Sequence, residues 1–382
     1  MKLPLLFACA VACLVAPAAR AQNEIVIGHF GSLTGGTATF GTSTKEGIDL
    51  AVKEINDAGG VLGRKIRVVH EDDQSKPTEA TKAVIKLINQ DNVVAVIGEV
   101  ASTRSLAAAP TAQENGVPML SPASTNPKVT QVGDYIFRSC FIDPFQGSAM
   151  ANFVMKSDKG PKAKRLAVLY DVRNDYSTGL RGFFIDTVKA NGGQIVADEA
   201  FAEGAFDFNA QLTKIKAANP DAIYCPGYYQ EVGLICRQAR KLGITVPFLG
   251  GDGWDSEKLF EIGGPDVNGC FFTNHYSPDE DRPAVKKFVE DYRKAYKNKT
   301  PDAMAILGYD AMKIMADAIR RAGSTDGKAI RDALAATKDF PAASGTITID
   351  ADRNAQKPIV VLKVEGGKTV FIDSVGAAPA KK

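Results

Sequence analysis

The chain alternates short apolar runs with amphipathic segments of helical length, a pattern that leads to a parallel sheet flanked by helices. Residues 93–130, VVAVIGEVASTRSLAAAPTAQENGVPMLSPASTNPKVT, carry it in its sharpest form. Val93 to Ile97 reads as a buried strand. The chain turns at Gly98, reaches Ser102 and Thr103, and enters an alanine-rich helix that closes at Asn115-Gly116. A second apolar run, Val117 to Leu120, ends in another small polar cluster, Ser121 to Thr125. Ser or Thr ahead of an apolar helical run is an N-cap signal. A helix N-terminus presents free N–H groups and partial positive charge to an anion, and in an open α/β sheet ligands sit beyond the carboxyl ends of the strands. Ser102, the backbone around Ala123, and Thr125 are therefore candidates to hold a small carboxylate. The competing reading, equally consistent with the spacing, is that they only cap helices.

The first 21 residues have the layout of a secretory signal: Lys2, an apolar stretch from Leu3 to Val15, then Ala19-Arg20-Ala21 with Gln22 as the new N-terminus. The stretch is too short to span a bilayer. A lipid anchor at Cys13 is disfavoured by the Leu14-Val15 that follows. The mature protein is expected to be exported and soluble. Removing Lys2 and Arg20 from the 46 basic residues leaves 44 against 44 acidic ones, so no basic surface for nucleic acid is expected. Four cysteines remain: Cys140, Cys225, Cys236 and Cys270. Their spacing fits neither a metal site nor a C-x-x-C redox pair. A Cys225–Cys236 bridge and buried free thiols both stay open.

From the start, Glu24 to Phe30 reads as a strand, followed by the glycine-rich turn GSLTGGTATFG at 31–41. That turn lacks the G-x-G-x-x-G spacing of a dinucleotide site. A helix is expected from Thr42 to Ala58, with Ile48, Ala51, Val52 and Ile55 on one face, then a strand at Lys65–His70 and a helix opening at Pro77. The chain leaves this first lobe around Phe137 to Pro144. A second βα series follows, with strands at Arg165–Tyr170, Gln194–Glu199, Asp221–Cys225 and Val246–Leu249. Two long helices at 283–297 and 302–322 come next. The terminal runs Thr346–Ile349, Ile359–Val364 and Thr369–Ile372 alternate as antiparallel strands do, with Gly366-Gly367 as a hairpin turn. No low-complexity linker separates the two series, which suits lobes joined by several chain crossings.

Three strand ends of the second series carry polar or aromatic residues: Asp171 to Tyr176, Gly227 to Glu231 with Tyr228, and Gly250 to Trp254. Asp252 lies between glycines, where backbone can approach closely. An acid at a cleft mouth opposite an anion site points to a cationic partner, and Trp254 would wall the pocket. The alternative makes Asp252 a turn residue and Tyr228 a rim aromatic.

Taken in order, IVIGHFGSLTGG, FGTSTKEGIDLAVKEINDAGGVLGRKI, DDQSKP, VIGEVASTRS, PMLSPASTNP, PDAIYCPGYYQEVGLICRQARKLG, FLGGDGW and PIVVLKVEGGKTV resemble the periplasmic leucine/isoleucine/valine-binding protein family across essentially the whole mature chain. The resemblance implies an α/β, two-lobed type I periplasmic binding fold. Each lobe is a parallel sheet flanked by helices, and a three-crossing hinge joins them. The expected lobes are 22–141 with 275–347 and 142–274 with 348–376, ahead of a tail at 377–382. It implies an exported, monomeric solute-binding protein that captures a small amino acid, Leu, Ile or Val above all, and hands it to the membrane permease of an ABC transporter. No cofactor, metal, nucleic acid or catalysis is implied. Ser102, Ala123 and Thr125 stand where the family holds the ligand carboxylate, and Asp252 and Tyr228 where it holds the ammonium. Tyr176 and Phe40 match further pocket aromatics. The family's usual acid at the ammonium position is Glu, one methylene longer than Asp252. Ser75 and Ala101 replace a disulfide that some members carry. Amides, urea-like solutes, aromatic or aliphatic carboxylates and a sensory role remain the alternatives. The histidines His29, His70 and His275 are scattered, with no Ser/His/Asp or metal-ligand spacing.

Overall fold

The computed structural model describes residues 24–376; the expected signal at 1–21 and tail at 377–382 lie outside them. The first half builds β1 (Glu24–Gly31), α1 (Ala38–Asp57), β2 (Lys65–Asp72), α2 (Pro77–Asn89), β3 (Val96–Ile97), α3 (Ser102–Glu114), β4 (Met119–Ser121), α4 (Lys128–Gln131) and β5 (Ile136–Arg138). The strands form one parallel sheet in the order β2-β1-β3-β4-β5. Side chains alternate across a strand, so β1 sends Ile25 and Ile27 to a core under α1 and Val26 and Phe30 to a core under α2 and α3. Both faces are covered, which is why β1 reads as a continuous apolar run.

The second half continues with α5 (Asp143–Lys156), β6 (Arg165–Asp171), α6 (Asp175–Ala190), β7 (Gln194–Phe201), α7 (Asn209–Ala218), β8 (Ala222–Tyr224), α8 (Tyr229–Lys241), β9 (Phe248–Gly250), a 3-10 turn at Asp252–Trp254, α9 (Glu257–Gly263) and β10 (Phe271–Asn274). Three helices, α10 (Pro283–Ala295), α11 (Ala303–Ala322) and α12 (Gly327–Ala335), return to the first sheet. A small antiparallel sheet of β11 (Phe340–Ala342), β12 (Gly345–Ile349) and β13 (Ala355–Gln356) follows. The hairpin β14 (Ile359–Glu365) and β15 (Lys368–Val375) then completes the second sheet, order β15-β14-β10-β9-β8-β6-β7. That sheet is parallel except for β14 and β15. Gly366 and Gly367, at φ 60° and 75°, supply the left-handed turn between them.

The chain passes between the sheets three times: after β5, after β10 and after β13. The last passage lies after Gln356 rather than after Ile347, because Ile349 and Ala355 pack in the core beneath the first sheet. All four described cysteines are buried and free, so no Cys225–Cys236 bridge forms.

Helix α1 begins at Ala38, four residues ahead of the expected start, and so takes Phe40 and Gly41 from the glycine-rich turn. A Cβ at Gly41 would lie 2.1 Å from the Ser32 carbonyl oxygen; this glycine serves a close helix–loop approach rather than a turn. Further along, α1 crosses α11 at two glycines. A Cβ on Gly47 would meet the Ala305 carbonyl oxygen at 1.9 Å, and one on Gly308 the Thr44 carbonyl oxygen at 2.4 Å. Backbone cannot yield as a side-chain tip can. Gly47→Ala is therefore expected to lower the free energy of unfolding by roughly 1–3 kcal/mol, read by urea denaturation; a loss under about 0.5 kcal/mol would mean that the crossing is not tight.

Candidate functional site

The carboxyl ends of both sheets face one cleft. Phe40, Ser102, Ala123, Thr125, Tyr176, Tyr228 and Asp252 line one cavity there, with Val100, Gly253 and Met304. Water centres can occupy about 10 Å³ of it. That is room for one water, so a solute of amino-acid size enters only when the lobes part. Seven of the eight expected residues meet here. Trp254 does not. Its ring is fully buried behind the site, tilted against Phe272, with Nε1 donating to the Cys225 carbonyl at 3.0 Å. Gly250 exists to admit it, since a Cβ there would lie 2.1 Å from the indole. A single Trp beside a glycine-rich turn signals a close approach, but the sequence does not reveal from which side.

On the first-sheet side, Ala101 is the N-cap of α3, and no described side chain caps it. Ser102 is the first helical residue instead, so its hydroxyl is not spent on capping; it accepts from the Asn126 N–H at 3.2 Å. Thr125 Oγ1 is buried, with the buried Asp143 carboxyl as its hydrogen-bonding neighbour. Neither hydroxyl caps α3 or α4. The loop carrying Ala123 and Thr125 is pinned from below by the buried Arg138, which donates to the carbonyls of Ser124 and, at 2.7 Å, of Asn126.

The loop into α3 is held by a buried acid pair around a guanidinium. Glu99 accepts from the Ser32 hydroxyl at 3.1 Å and from the Ala101 N–H, and pairs with Arg104 Nε at 3.1 Å. Asp73 accepts from the Ser32 hydroxyl at 2.7 Å and the Ser75 N–H at 2.9 Å. Burial and the neighbouring Glu99 push the Asp73 carboxyl up to about 8.

On the second-sheet side, Tyr176 and Tyr228 stack at 5.5 Å and 9°, and Phe40 meets the Tyr228 ring edge-on at 5.5 Å. The Tyr176 hydroxyl accepts from the Gly253 N–H at 3.3 Å, and the Tyr228 hydroxyl is buried beside the Asn174 side chain. Asp252 Oδ1 accepts from Gln146 Nε2 at 2.8 Å, and Oδ2 faces His275 Nε2 at 3.0 Å. Gln146 and His275 carried no signal as site residues. His275 follows a strand end in TNH, as the other candidates follow theirs, and that was its only sign.

The two sides touch through few polar bonds. Thr103 Oγ1 donates to Asp175 Oδ2 at 3.0 Å, the Asn126 amide donates to the Asp175 carbonyl at 2.7 Å, and the Thr39 and Ser256 hydroxyls lie 2.9 Å apart. The arrangement presents hydroxyls and a helix N-terminus on one wall, and a carboxylate and phenols on the other. No group of three or more His, Cys, Asp or Glu among the described residues could hold a metal ion.

The acid pair gives a pH prediction. Between pH about 4 and 8 the native state keeps a proton on Asp73 that the unfolded chain, with its ordinary carboxyl, releases. Stability therefore falls as pH rises through that window. Asp73→Asn keeps the acceptor oxygen and removes the titration. Its unfolding free energy relative to the wild type is expected to rise by at least about 1.4 kcal/mol between pH 5 and 8; a pH-independent difference in parallel denaturant titrations would overturn the assignment.

The periplasmic binding protein family model matches residues 24–368. A Leu/Ile/Val-binding protein homolog of Brucella melitensis is 32% identical over 98% of this chain and 100% of its own. The leucine-binding protein LivK of Thermotoga maritima superposes with a TM-score of 0.88 at 46% identity, over 92% of this chain and 99% of its own. LivJ of Streptococcus pneumoniae, a branched-chain amino acid transporter substrate-binding protein solved with isoleucine, gives 0.86 at 36% over 93% and 99%. A solute-binding protein of an ABC transporter from Rhodopseudomonas palustris, solved with 3,4-dihydroxybenzoic acid, gives 0.83 at 26% over 93% and 98%. With the cleft geometry, these likenesses put the chain in the periplasmic leucine/isoleucine/valine-binding protein family, with its type I fold.

Proposed function

We propose that this protein is an exported solute-binding subunit that closes on a small α-amino acid, of the branched-chain type, and presents it to the permease of an ABC transporter. The observation that carries the reading is the polarity of the cavity. An uncapped helix N-terminus with Ser102 and the Thr125 hydroxyl form one wall. Asp252 with the Tyr228 hydroxyl forms the other. A zwitterion satisfies both at once. Its carboxylate takes Ser102, Thr125 and the backbone at Ala123, and its ammonium takes Asp252 and Tyr228. Charge-assisted hydrogen bonds contribute roughly 1.5–3 kcal/mol each. Phe40, Val100 and Met304 offer apolar surface, and burying a Leu-sized side chain adds about 1.5–3 kcal/mol. The names of the curated relative and of LivK and LivJ support the same ligand class.

The second reading is an aromatic carboxylate, favoured by the Phe40, Tyr176 and Tyr228 rings around the cavity and by the dihydroxybenzoate relative. An amine-free acid would leave Asp252 in a closed cleft with no cation to face, which is costly. That weighs for the amino acid.

Thermal-shift measurements separate the two. The ligand-stripped protein would be screened against the twenty amino acids and against benzoates and aliphatic acids without an amine. A ligand at 100 times its Kd stabilises by about 2.7 kcal/mol. Shifts are expected with Leu, Ile and Val; shifts only with amine-free acids would retire the ammonium assignment. Asp252→Ala is expected to weaken binding of the best amino acid at least about tenfold, or 1.4 kcal/mol, by calorimetry, and unchanged affinity would sink the role of Asp252.

A further inference from the structure

Asp252 is not a free side chain at the cavity wall. One oxygen is held by Gln146 at 2.8 Å and the other by His275 at 3.0 Å. All three residues are buried. Both holders belong to the segments where the chain changes lobes. His275 directly follows β10, at the start of the return passage to the first sheet, and Gln146 lies in the first turn of α5, just after the outward passage. The His275 ring is itself seated. It stacks on Phe141 of the outward passage, centroids 3.8 Å apart at 16°. Burial draws the imidazole down to about 4, so at neutral pH it carries one ring proton. The carboxylate faces Nε2, which puts the proton there, and Nδ1 is left without a partner among the described residues.

The backbone at Asp252 has no slack to offer instead. A Cβ at Gly251 would lie 2.3 Å from the Tyr176 hydroxyl, and one at Gly253 2.8 Å from the Gly227 carbonyl oxygen. The chain is pressed against its neighbours on both sides, so the carboxylate is aimed by side-chain donors. Two N–H donors, one per oxygen, leave it able only to accept from the cavity.

We propose that His275, seated on Phe141, is the positioning residue that aims the Asp252 carboxylate into the cavity, so that amine recognition is set from the hinge. This rests on the reading of Asp252 as the partner of the ligand's amine. Without His275, Gln146 alone would hold one oxygen, and the carboxylate would turn about it.

The test is a double-mutant cycle with L-leucine as probe, read by calorimetry. His275→Leu fills the site but donates nothing, whereas His275→Gln keeps an N–H that reaches the same oxygen. H275L is expected to weaken leucine binding at least tenfold and H275Q to stay within threefold of the wild type. In an Asp252→Asn background H275L is expected to add no further loss, because His275 acts through Asp252. Additive losses, or an H275Q as weak as H275L, would overturn the proposal. A second measurement needs no ligand. In a histidine ¹⁵N correlation spectrum, the signal that disappears in H275Q is expected to show a protonated Nε2 and a bare Nδ1, and to change on Asp252→Asn. The opposite tautomer, or no response to D252N, overturns the proposal even if the leucine variants misfold. If wild type gives no heat with leucine, the amino-acid reading has failed, and the spectrum alone judges His275.

Discussion

The cleft depends on a helix that starts without a cap. A Ser, Thr, Asp or Asn side chain just ahead of a helix can satisfy its first N–H groups. Helix α3 has Ala101 there. Its free N–H groups and positive dipole end remain for something in the cleft, and the rest of the first lobe keeps them accessible. Glu99 takes the Ala101 N–H, Arg104 neutralises Glu99, and Asp73 and Ser32 complete the ring. Arg138 fixes the neighbouring loop from the opposite side. Glu99 and Arg104 are paired within the lobe, and Arg138 donates to the carbonyls of the loop it holds. On the proposed reading, this lobe would receive the ligand carboxylate before closure.

Closure joins the lobes by apolar contacts around Phe40, Tyr228 and Tyr229 and by a set of hydrogen bonds that includes Ala303 N–H to Asp255 at 2.7 Å. The bonds across the cleft at Thr103–Asp175, Asn126–Asp175 and Thr39–Ser256 are hydrogen bonds to polar groups that water would serve nearly as well when the lobes part. Each is worth about 0.5–1.5 kcal/mol net. A ligand moves such a balance only through its differential affinity for the closed form. A zwitterion spanning both walls has that property, since half of its partners are missing in the open form. A solute bound by the first lobe alone would be captured without driving closure.

The fold was legible because parallel sheets covered on both faces demand long apolar runs alternating with amphipathic helices, and β1, β6 and α11 follow that rule closely. Local chemistry was less legible where glycine was involved. The same residue type signals a turn and a close approach, so Gly41 was read as the end of a loop when it lies within a helix pressed on Ser32. The cavity residues at strand ends could be nominated from sequence because strand ends converge by topology. Trp254 was nominated by the same logic and is a core residue, because one turn of 3-10 helix after Gly251 carries its ring away from the cleft. Gln146 and His275 were out of reach for the converse reason. They meet Asp252 from segments 106 and 23 residues away, and nothing local to either marks the encounter.

On the proposed reading, that encounter bears on why an Asp would suffice at the ammonium position. A Glu could find its own position by rotating a longer chain. Asp252 has one methylene fewer and a backbone hemmed in by Tyr176 and Gly227, so its placement is decided by what holds it. Donors from the two chain passages do so, and one of them is stacked against the other passage through Phe141. A hinge motion that alters the relation of those passages would then move the carboxylate as well as the lobes. On the proposed reading of Asp252, amine recognition and closure become one event, because the carboxylate is held by residues of the two chain passages.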